Sequence, residues 1–283
     1  PREALLSYEE IGTVVRAAAE LGITKVRVTG GEPLVRLDLS RLVAMLADIG
    51  TIDDISLTTN GILLGHYAAE LKAAGLRRVN VSLDTLKADK FEFITGGNHI
   101  GDVLAGIEIA RSVGLNPVKL NTVVMAGIND DELLDFAART IDQEWHVRFI
   151  ELMPFAGNGD AAPQLVSVSE MRRRMEQLGQ LEPCLPSIGN GPARYFRFPG
   201  AKGTIGFITP ISEHFCFHCN RLRLTADGRL RPCLLSENEI DLKQALRRVI
   251  PRAELKKLIE QAVALKPLRH HLDEGYVPND RPF

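Results

Sequence analysis

Three cysteines near the C-terminal end of the chain, Cys216, Cys219 and Cys233, have the spacing of groups that do chemistry. The first two form a CxxC pair, and the third follows after thirteen intervening residues. The dipeptide Asp227-Gly228 lies between them and predicts a type I′ hairpin, whose return strand carries Cys233 back towards the pair. A CxxC pair with a third cysteine nearby is typical of metal or redox chemistry. The spacing therefore predicts a shared metal site built from three thiolates.

Two kinds of metal fit this pattern, and packed thiols without a metal are a third interpretation. A structural zinc ion takes four protein ligands, and His214, His218 or Cys184 could supply the fourth, giving a small zinc ribbon. An iron–sulfur cluster held by three thiolates leaves one iron open to a ligand from outside the protein. Arg221 and Arg223 alternate along the chain just after the CxxC pair. Two guanidiniums on one face fit a phosphate or carboxylate clamp, although a solvated strand face is the alternative.

The elements that must position these groups fall into two patterns along the chain. In the first half, helical patterns that open with Ser, Asp or Asn and close at Gly separate five short, largely apolar runs. We predict strands at 24 to 29, 54 to 59, 77 to 83, 118 to 124 and 146 to 152. The alternation predicts a parallel sheet covered on both faces. No GxGxxG follows the first strand, which favours an open or closed βα barrel over a dinucleotide-binding sheet.

After about residue 160 the pattern changes to short paired strands and helices. We predict helices at 167 to 179, 239 to 249 and 252 to 265, and strands at 194 to 199, 203 to 210, 221 to 226 and 229 to 235. The expected organisation is therefore a partial βα barrel over 1–160, followed by a smaller α+β domain over 161–283 that carries the three cysteines.

Polar residues follow each strand of the predicted barrel, where the chemistry of parallel βα folds collects. The segments are TGGEP, TTNG, VSLDT, KLNTVV and FIELMP. Each alone is an ordinary turn sequence, but together they predict the rim of a site for a polar small molecule. Arg27 and Lys119 lie inside strands, where an inward-pointing cation must be paired or face a ligand. Asp84 and Glu151 are candidate partners for them.

Composition excludes several classes of protein. The 283 residues carry a net charge of −2 and are 45% hydrophobic, so a buried core is expected and no whole-chain charge favours nucleic acid or a membrane surface. No apolar run approaches the ~20 residues of a membrane span, and no signal peptide opens the sequence. Four cysteines in a chain of this length do not make a disulfide framework. We therefore expect a cytoplasmic protein without a nucleic-acid or membrane partner.

Six motifs occur in an order and at spacings that identify a family: TGGEPLVR, LTTNG, RRVNVSLDT, NTVVMAGIND, RFIELMPF and FCFHCNRLRLTADGRLRPCL. From about residue 1 to 275 the chain resembles the GTP 3′,8-cyclase family of radical S-adenosylmethionine enzymes. The last motif is specific to that family, whereas GGEP is shared more widely. The resemblance implies an α/β fold, an incomplete (βα)₆ TIM-type barrel closed by a C-terminal α+β domain. It also implies conversion of GTP to (8S)-3′,8-cyclo-7,8-dihydroguanosine 5′-triphosphate, the first step of molybdenum cofactor biosynthesis.

The resemblance also implies a role for individual residues. An auxiliary [4Fe–4S] cluster would be held by Cys216, Cys219 and Cys233, and its open iron would contact the guanine base, so that the substrate takes the place of a fourth ligand. The residues implied to contact GTP are Arg27, Thr58, Lys119, Arg221, Leu222 and Arg223. The residues implied to contact S-adenosylmethionine are Gly31, Ser82 and Met153. A reductant would be the electron donor, and the family is commonly homodimeric.

The sequence departs from the family at both ends. The family holds a second [4Fe–4S] cluster in an N-terminal CxxxCxxC loop that generates the radical, and this sequence has no such motif. We expect that the first barrel strand and this loop are missing from the chain, that it also stops short of the family's C-terminal tail, and that it is inactive as given.

Two other functions fit parts of the pattern. One is a different radical S-adenosylmethionine enzyme with an auxiliary cluster, against which the Arg-x-Arg after the second cysteine argues. The other is a non-catalytic zinc-ribbon binding module on a βα scaffold. The absence of a broad basic stripe with interleaved aromatic residues argues against nucleic acid as its partner. The identity of the metal, zinc or iron, separates this module from the cyclase.

Overall fold

The computed structural model describes residues 4–153, 164–185, 191–213 and 215–270. Its helices are α1 (Tyr8–Glu20), α2 (Leu39–Ala47), α3 (Leu64–Ala73), α4 (Ala88–Thr95), α5 (Ile100–Ser112), α6 (Leu133–Asp142), α7 (Val168–Met175), α8 (Lys243–Arg247) and α9 (Arg252–Ala264). Its strands are β1 (Lys25–Val28), β2 (Asp54–Thr59), β3 (Arg78–Ser82), β4 (Lys119–Val124), β5 (His146–Glu151), β6 (Glu182–Cys184), β7 (Arg194–Arg197), β8 (Thr204–Ile208), β9 (Arg223–Leu224), β10 (Arg229–Arg231) and β11 (Ile240–Asp241).

The chain forms two compact units that are each discontinuous in sequence. Unit 1 comprises Pro1–Leu57, Glu70–Arg77 and Cys216–Phe283, and unit 2 comprises Thr58–Ala69 and Arg78–Phe215. The division into domains at residue 160 stays a prediction. All five strands predicted in the first half are present, and their bounds agree within two residues.

The first part of unit 1 is a βα unit whose helix begins where the sequence indicates. Ser7 caps α1 through a capping box, since its hydroxyl accepts from the N–H of Glu10 and the Glu10 carboxylate accepts from the N–H of Ser7. β1 pairs with β2 in parallel, with Arg27 opposite Ser56. The helix thus starts at a fixed residue and leads directly into the strand that carries Arg27.

The second part of unit 1 is a three-stranded antiparallel sheet in the order β11-β10-β9. The hairpin between β9 and β10 is confirmed, but the predicted type I′ turn is wrong. Thr225 accepts from the N–H of Gly228, and of the turn residues Gly228 is the one with positive φ, at 89°. This is the three-residue hairpin loop with a left-handed glycine at its end. A Cβ at Gly228 would lie 2.7 Å from the Cβ of Lys243, so glycine is also required by space.

Two other predictions in this part of unit 1 need correction. β10 ends at Arg231, so Cys233 lies beyond the return strand rather than on it. The predicted helix over 239 to 249 is shorter, because Ile240–Asp241 pairs with β10 and α8 begins only at Lys243. The helix predicted over 252 to 265 is confirmed as α9.

A small apolar core anchors the hairpin of unit 1. Val14 and Ala17 of α1 pack with Leu230 of β10 and with Leu255 and Ile259 of α9. Partly buried leucines around the hairpin pack against the same cluster, including Leu222, Leu224 and Leu246. This core therefore fixes the position of the β9–β10 hairpin and of the residues on its other face.

Unit 2 contains a mostly parallel sheet, which confirms the α/β class. β3, β4, β5 and β8 are neighbours in that order and run parallel, and β7 and β6 extend the sheet as antiparallel strands. The strands predicted at 194 to 199 and 203 to 210 correspond to β7 and β8, whereas β6 was not predicted. The completeness of the barrel and the missing first strand stay predictions.

The two faces of this sheet differ sharply in chemistry. Val81, Leu120, Val147, Phe149 and Phe207 lie on one face, and each is at most 1% exposed. Phe149 stacks on Phe207 and meets Phe136 of α6 edge to face, so helices cover this side. The other face carries polar residues, which the pairing aligns across the strands as Asn80, Lys119 and His146, and as Ser82, Asn121 and Arg148.

No helix in the described ranges is long and apolar enough to cross a membrane.

Candidate substrate and cluster sites

A chain of buried hydrogen bonds runs across the polar face of unit 2. Arg148 is 5% exposed, and its Nη2 donates to Asn80 Oδ1 at 2.6 Å. Asn80 Nδ2 in turn donates to Thr58 Oγ1 at 3.3 Å. Because one lone pair of the Thr58 hydroxyl accepts this bond, its own hydrogen is directed elsewhere. The arrangement orients Thr58, one of the residues implied to contact GTP.

Lys119 supplies a second buried cation on the same face. It is 2% exposed, and its Nζ lies 3.4 Å from the Tyr195 hydroxyl and 5.3 Å from the centroid of that ring. His146 is its partner in the strand register, and its Nδ1 lies 2.9 Å from Thr204 Oγ1. Burial, and then the charge of Lys119, lowers the pKa of His146 to about 4. The imidazole is therefore neutral at pH 7, and it adds no positive charge beside the lysine.

Asn121 lies between Ser82 and Arg148 in the strand register. Its Oδ1 is buried and has no hydrogen-bond partner among the described residues. Buried side-chain oxygens are almost always paired, so an orphan acceptor on a polar face indicates a missing donor from a ligand or water.

Sequence reasoning missed Arg148, Asn80 and Tyr195 as members of this face. The signal for Arg148 was present, because His146 and Arg148 alternate with Val147 and Phe149 in the same strand. The signal for Tyr195 was not, since it depends on an antiparallel strand joining the parallel sheet.

The carboxylate of Glu151, suggested as a partner for the strand cations, binds backbone groups. It is fully buried and accepts from the N–H groups of Val168, Ile211 and Ser212 at 3.0 to 3.2 Å. Asp84, the other suggested partner, accepts from the N–H of Val123 at 2.8 Å, and burial raises its pKa. Both carboxylates therefore fasten the chain at the C-terminal ends of strands.

The three residues implied to contact S-adenosylmethionine follow the ends of strands, as predicted from the sequence. Ser82 is exposed at the end of β3, and Met153 is half-buried two residues after β5 in unit 2. Gly31 is exposed in unit 1, after β1, and a Cβ there would meet no atom within 4 Å. The side-chain space at Gly31 is thus open on the protein side.

Arg27, the other strand cation, differs from Lys119 in its exposure. It is exposed on β1, and its Nε donates to Ser56 Oγ at 3.4 Å. Lys119 is buried, whereas the residues of β1 alternate between exposed and half-buried, so the Arg27 side chain is accessible to solvent or to a ligand.

The three cysteines lie outside the β-strands of unit 1. Cys216 begins a single 3₁₀ turn, and the N–H of Cys219 donates to the carbonyl of Cys216 at 3.0 Å. Cys233 accepts at its Sγ from the N–H of Leu235 at 3.4 Å. All three thiols are half-buried. Short turns with amide-to-sulfur hydrogen bonds are a suitable setting for metal-bound thiolates, whose sulfurs are strong acceptors.

Positive charge surrounds these thiols. Burial alone would raise the pKa of Cys219, but the N–H of Arg221 and the charges of Arg221, Lys266 and Arg223 outweigh it and lower the pKa. The pKa of Arg223 is lowered by burial and then by the charge of Arg221, while Cys233 and Cys219 oppose the shift. Two neighbouring arginines, one of them in a desolvated position, favour a bound anion over an empty face.

Leu222 lies between these arginines, and its side chain packs against the core of unit 1. Its implied contact with GTP would therefore be made by its backbone. Arg221 and Arg223 are half-buried on the alternate positions, as the sequence predicted.

The residues fit an iron–sulfur cluster by the chemistry of their donors, namely three thiols, amide donors to sulfur and nearby cations. Within the described ranges, however, no group of three or more His, Cys, Asp or Glu side chains is arranged to hold a metal ion. His214, one of the three suggested fourth zinc ligands, lies outside those ranges. The shared use of the three cysteines therefore stays a prediction.

Comparisons with known proteins agree along almost the whole chain. A Radical SAM superfamily model matches residues 1–139, and a Molybdenum Cofactor Synthesis C model matches residues 145–272. GTP 3′,8-cyclase of Moorella thermoacetica is 50% identical over 97% of this chain and 85% of its own length. The enzyme of the same name from Pelotomaculum thermopropionicum is 52% identical over 98% and 86%.

Among solved structures, Streptococcus suis SuiB bound to S-adenosylmethionine superposes with a TM-score of 0.59. It is 16% identical and covers 83% of this chain and 56% of its own, so this likeness concerns the fold alone. The sequence relatives, at about half identity across both matched regions, decide the family. The chain belongs to the GTP 3′,8-cyclase family of radical S-adenosylmethionine enzymes.

Proposed function

We propose that the protein is a GTP 3′,8-cyclase, which converts GTP to (8S)-3′,8-cyclo-7,8-dihydroguanosine 5′-triphosphate in the first step of molybdenum cofactor biosynthesis. The expected inactivity of the 283 residues as given, which contain no CxxxCxxC motif, belongs to the same proposal. The proposal depends on the sequence identity of 50% and 52% to two GTP 3′,8-cyclases, which extends across both matched regions. The buried cations add a physical reason, because a triphosphate needs several positive groups to replace its lost solvation.

In unit 2 we assign Lys119 and Thr58 to GTP, and we add Arg148, because its guanidinium is buried on the same face. The open acceptor of Asn121 suits an N–H or O–H donor of the nucleotide.

In unit 1 we assign Arg27, Arg221, Arg223 and the backbone of Leu222 to GTP. Burial and then the charge of Arg221 lower the pKa of Arg223, and an anion beside both arginines would offset these two costs. These groups bind and orient the substrate.

Cys216, Cys219 and Cys233 would hold the auxiliary [4Fe–4S] cluster, which would offer the guanine base an iron without a protein ligand. Gly31, Ser82 and Met153 would contact S-adenosylmethionine, and the absent side chain of Gly31 lets the cofactor approach the backbone closely. When bound, S-adenosylmethionine, with an electron from the N-terminal cluster rather than the auxiliary one, would supply the radical chemistry of the reaction. Glu151 keeps the chain before Met153 in place through its backbone contacts.

The finer expectations belong to this proposal as well. They are an incomplete (βα)₆ barrel, a second cluster at the N-terminal side in the intact enzyme, a reductant as electron donor and a homodimer. The zinc-ribbon module is not favoured, because the relatives that match nearly the whole chain are GTP 3′,8-cyclases.

Calorimetry of GTP binding to the anaerobically reconstituted protein tests the proposal. Arg223→Gln removes a charged donor, so GTP affinity should fall by about 10- to 100-fold. Arg248→Gln is the matched control, since Arg248 is exposed on the surface of the same unit. Preference for GTP over ATP should disappear when the iron is removed. Equal affinity in the Arg223→Gln and Arg248→Gln proteins, or no nucleotide binding by the parent chain, would contradict the assignment.

A further inference from the structure

Lys266 joins two backbone segments of unit 1 through one side chain. Its Nζ donates to the carbonyl of Arg221 at 2.8 Å and to the carbonyl of Pro232 at 2.8 Å. The first acceptor lies two residues after Cys219, and the second lies immediately before Cys233. The ammonium group therefore bridges the CxxC segment and the segment of the third cysteine.

This bridge lies where the strand pairing has ended. The β9–β10 ladder pairs Leu224 with Leu230 and Arg223 with Arg231, and β9 begins at Arg223. Arg221 and Pro232 are thus outside the ladder, on the side of the cysteines. The ammonium group of a lysine has three hydrogen-bond donors and no acceptor, so it can bind two carbonyls that lie beyond the end of the ladder.

Lys266 is itself held firmly. It lies two residues after the end of α9, and its N–H donates to the carbonyl of Val263 at 3.1 Å. α9 packs into the core of unit 1 through Leu255, Ile259 and Ala262. Pro267 comes next and restricts the backbone of the residue before it. The ammonium group is therefore presented from a fixed helix end, and its charge acts on the Cys219 thiol.

We propose that Lys266 is a positioning residue that ties the CxxC segment to the Cys233 segment and thereby sets the three thiols as one donor set. The inference rests on the proposed function for the identity of the cluster, but the tie itself exists without metal. Both acceptors are neutral carbonyls, so they do not cancel the positive charge of Lys266. This charge would stabilise the reduced state of a bound cluster, because that state is the more negative one.

The tie is tested first without iron, by hydrogen exchange followed by mass spectrometry. Lys266→Met keeps the length of the side chain and removes the donor. Amides in peptides covering 219 to 224 and 231 to 236 should exchange at least about tenfold faster, since two bonds from a charged donor are lost. Lys257→Met is the control, because Lys257 is exposed on the same helix. Equal exchange in the two variants would overturn the proposal.

The positioning role is tested next on the reconstituted protein. In Lys266→Met, iron should leave to a chelator faster than in Lys257→Met, and the reduction potential of the remaining cluster should be lower. Lys266→Arg, which keeps the charge and the donors, should restore the potential. A potential and a rate of iron loss unchanged in Lys266→Met would overturn the role. If the parent chain binds no iron, the proposed function fails, and the exchange experiment alone decides the tie.

Discussion

The polar face of unit 2 and the cysteine segment of unit 1, residues 216 to 233, differ in how firmly they fix their functional side chains. On the polar face, Lys119 and Arg148 are buried, and the strand register fixes their positions. In the cysteine segment, Cys216 and Cys233 are half-buried outside the strands, and single hydrogen bonds such as that from Lys266 to Pro232 fasten the segment.

The difference has a consequence for mutation. A substitution on the polar face disturbs the folded state as well as the ligand, because its side chains satisfy buried partners. A substitution at the half-buried cysteines of unit 1, which lie outside the strands, should affect bound groups more than it affects the free energy of unfolding.

The largest effect on stability is expected for Arg148→Met. The change leaves Asn80 Oδ1 buried without the donor that now lies at 2.6 Å, so the free energy of unfolding should fall by about 3 kcal/mol. GTP affinity should fall with it. Urea unfolding checks this prediction, with Arg197→Met as the control at an exposed site of the same unit. Unchanged stability would show that the register does not constrain this face.

A smaller effect is expected from pH through His146. The unfolded imidazole protonates near 6.5, whereas the folded one stays neutral down to about 4 because of burial and Lys119. The unfolded state therefore binds more protons between these values, and stability is complete above pH 6.5 and falls as the pH drops. The loss between pH 7 and pH 5 should be about 2 kcal/mol. In His146→Gln this part of the pH dependence should vanish. If the free energy of unfolding falls between pH 7 and pH 5 by the same amount in the variant as in the parent protein, the assignment is wrong.

The smallest effect on stability is expected for Gly31→Ala in unit 1. Its new Cβ meets no protein atom within 4 Å, so unfolding should change by less than about 0.5 kcal/mol. S-adenosylmethionine affinity should nevertheless fall by about tenfold, because the methyl group occupies the space of the cofactor. Thermal unfolding and equilibrium binding separate the two effects. Full binding by the variant would remove Gly31 from the proposed site.

The regular parts of the molecule were predictable and the irregular parts were not. Short, largely apolar runs predicted β3, β4 and β5, and the buried position of Lys119 follows from its place in β4. The exposure of Arg27 depends on how β1 is covered, and the contact of Lys119 with Tyr195 depends on β7 joining the sheet. No local pattern encodes either one.

The cysteine segment shows the same limit. The spacing predicted a hairpin between the CxxC pair and Cys233, and the hairpin exists, but its three-residue turn and the early end of β10 were not predicted. Lys266 lies 34 positions after Pro232 and 45 positions after Arg221, and sequence periodicity does not reveal contacts at such separations.

Iron, acid-labile sulfide and zinc per chain, measured after anaerobic reconstitution, test the central claim most directly. The account predicts about four irons and four sulfides, lost in Cys219→Ser and retained in Cys184→Ser, whose thiol lies on β6 of unit 2. One tightly bound zinc without iron, or iron that survives Cys219→Ser, would contradict it.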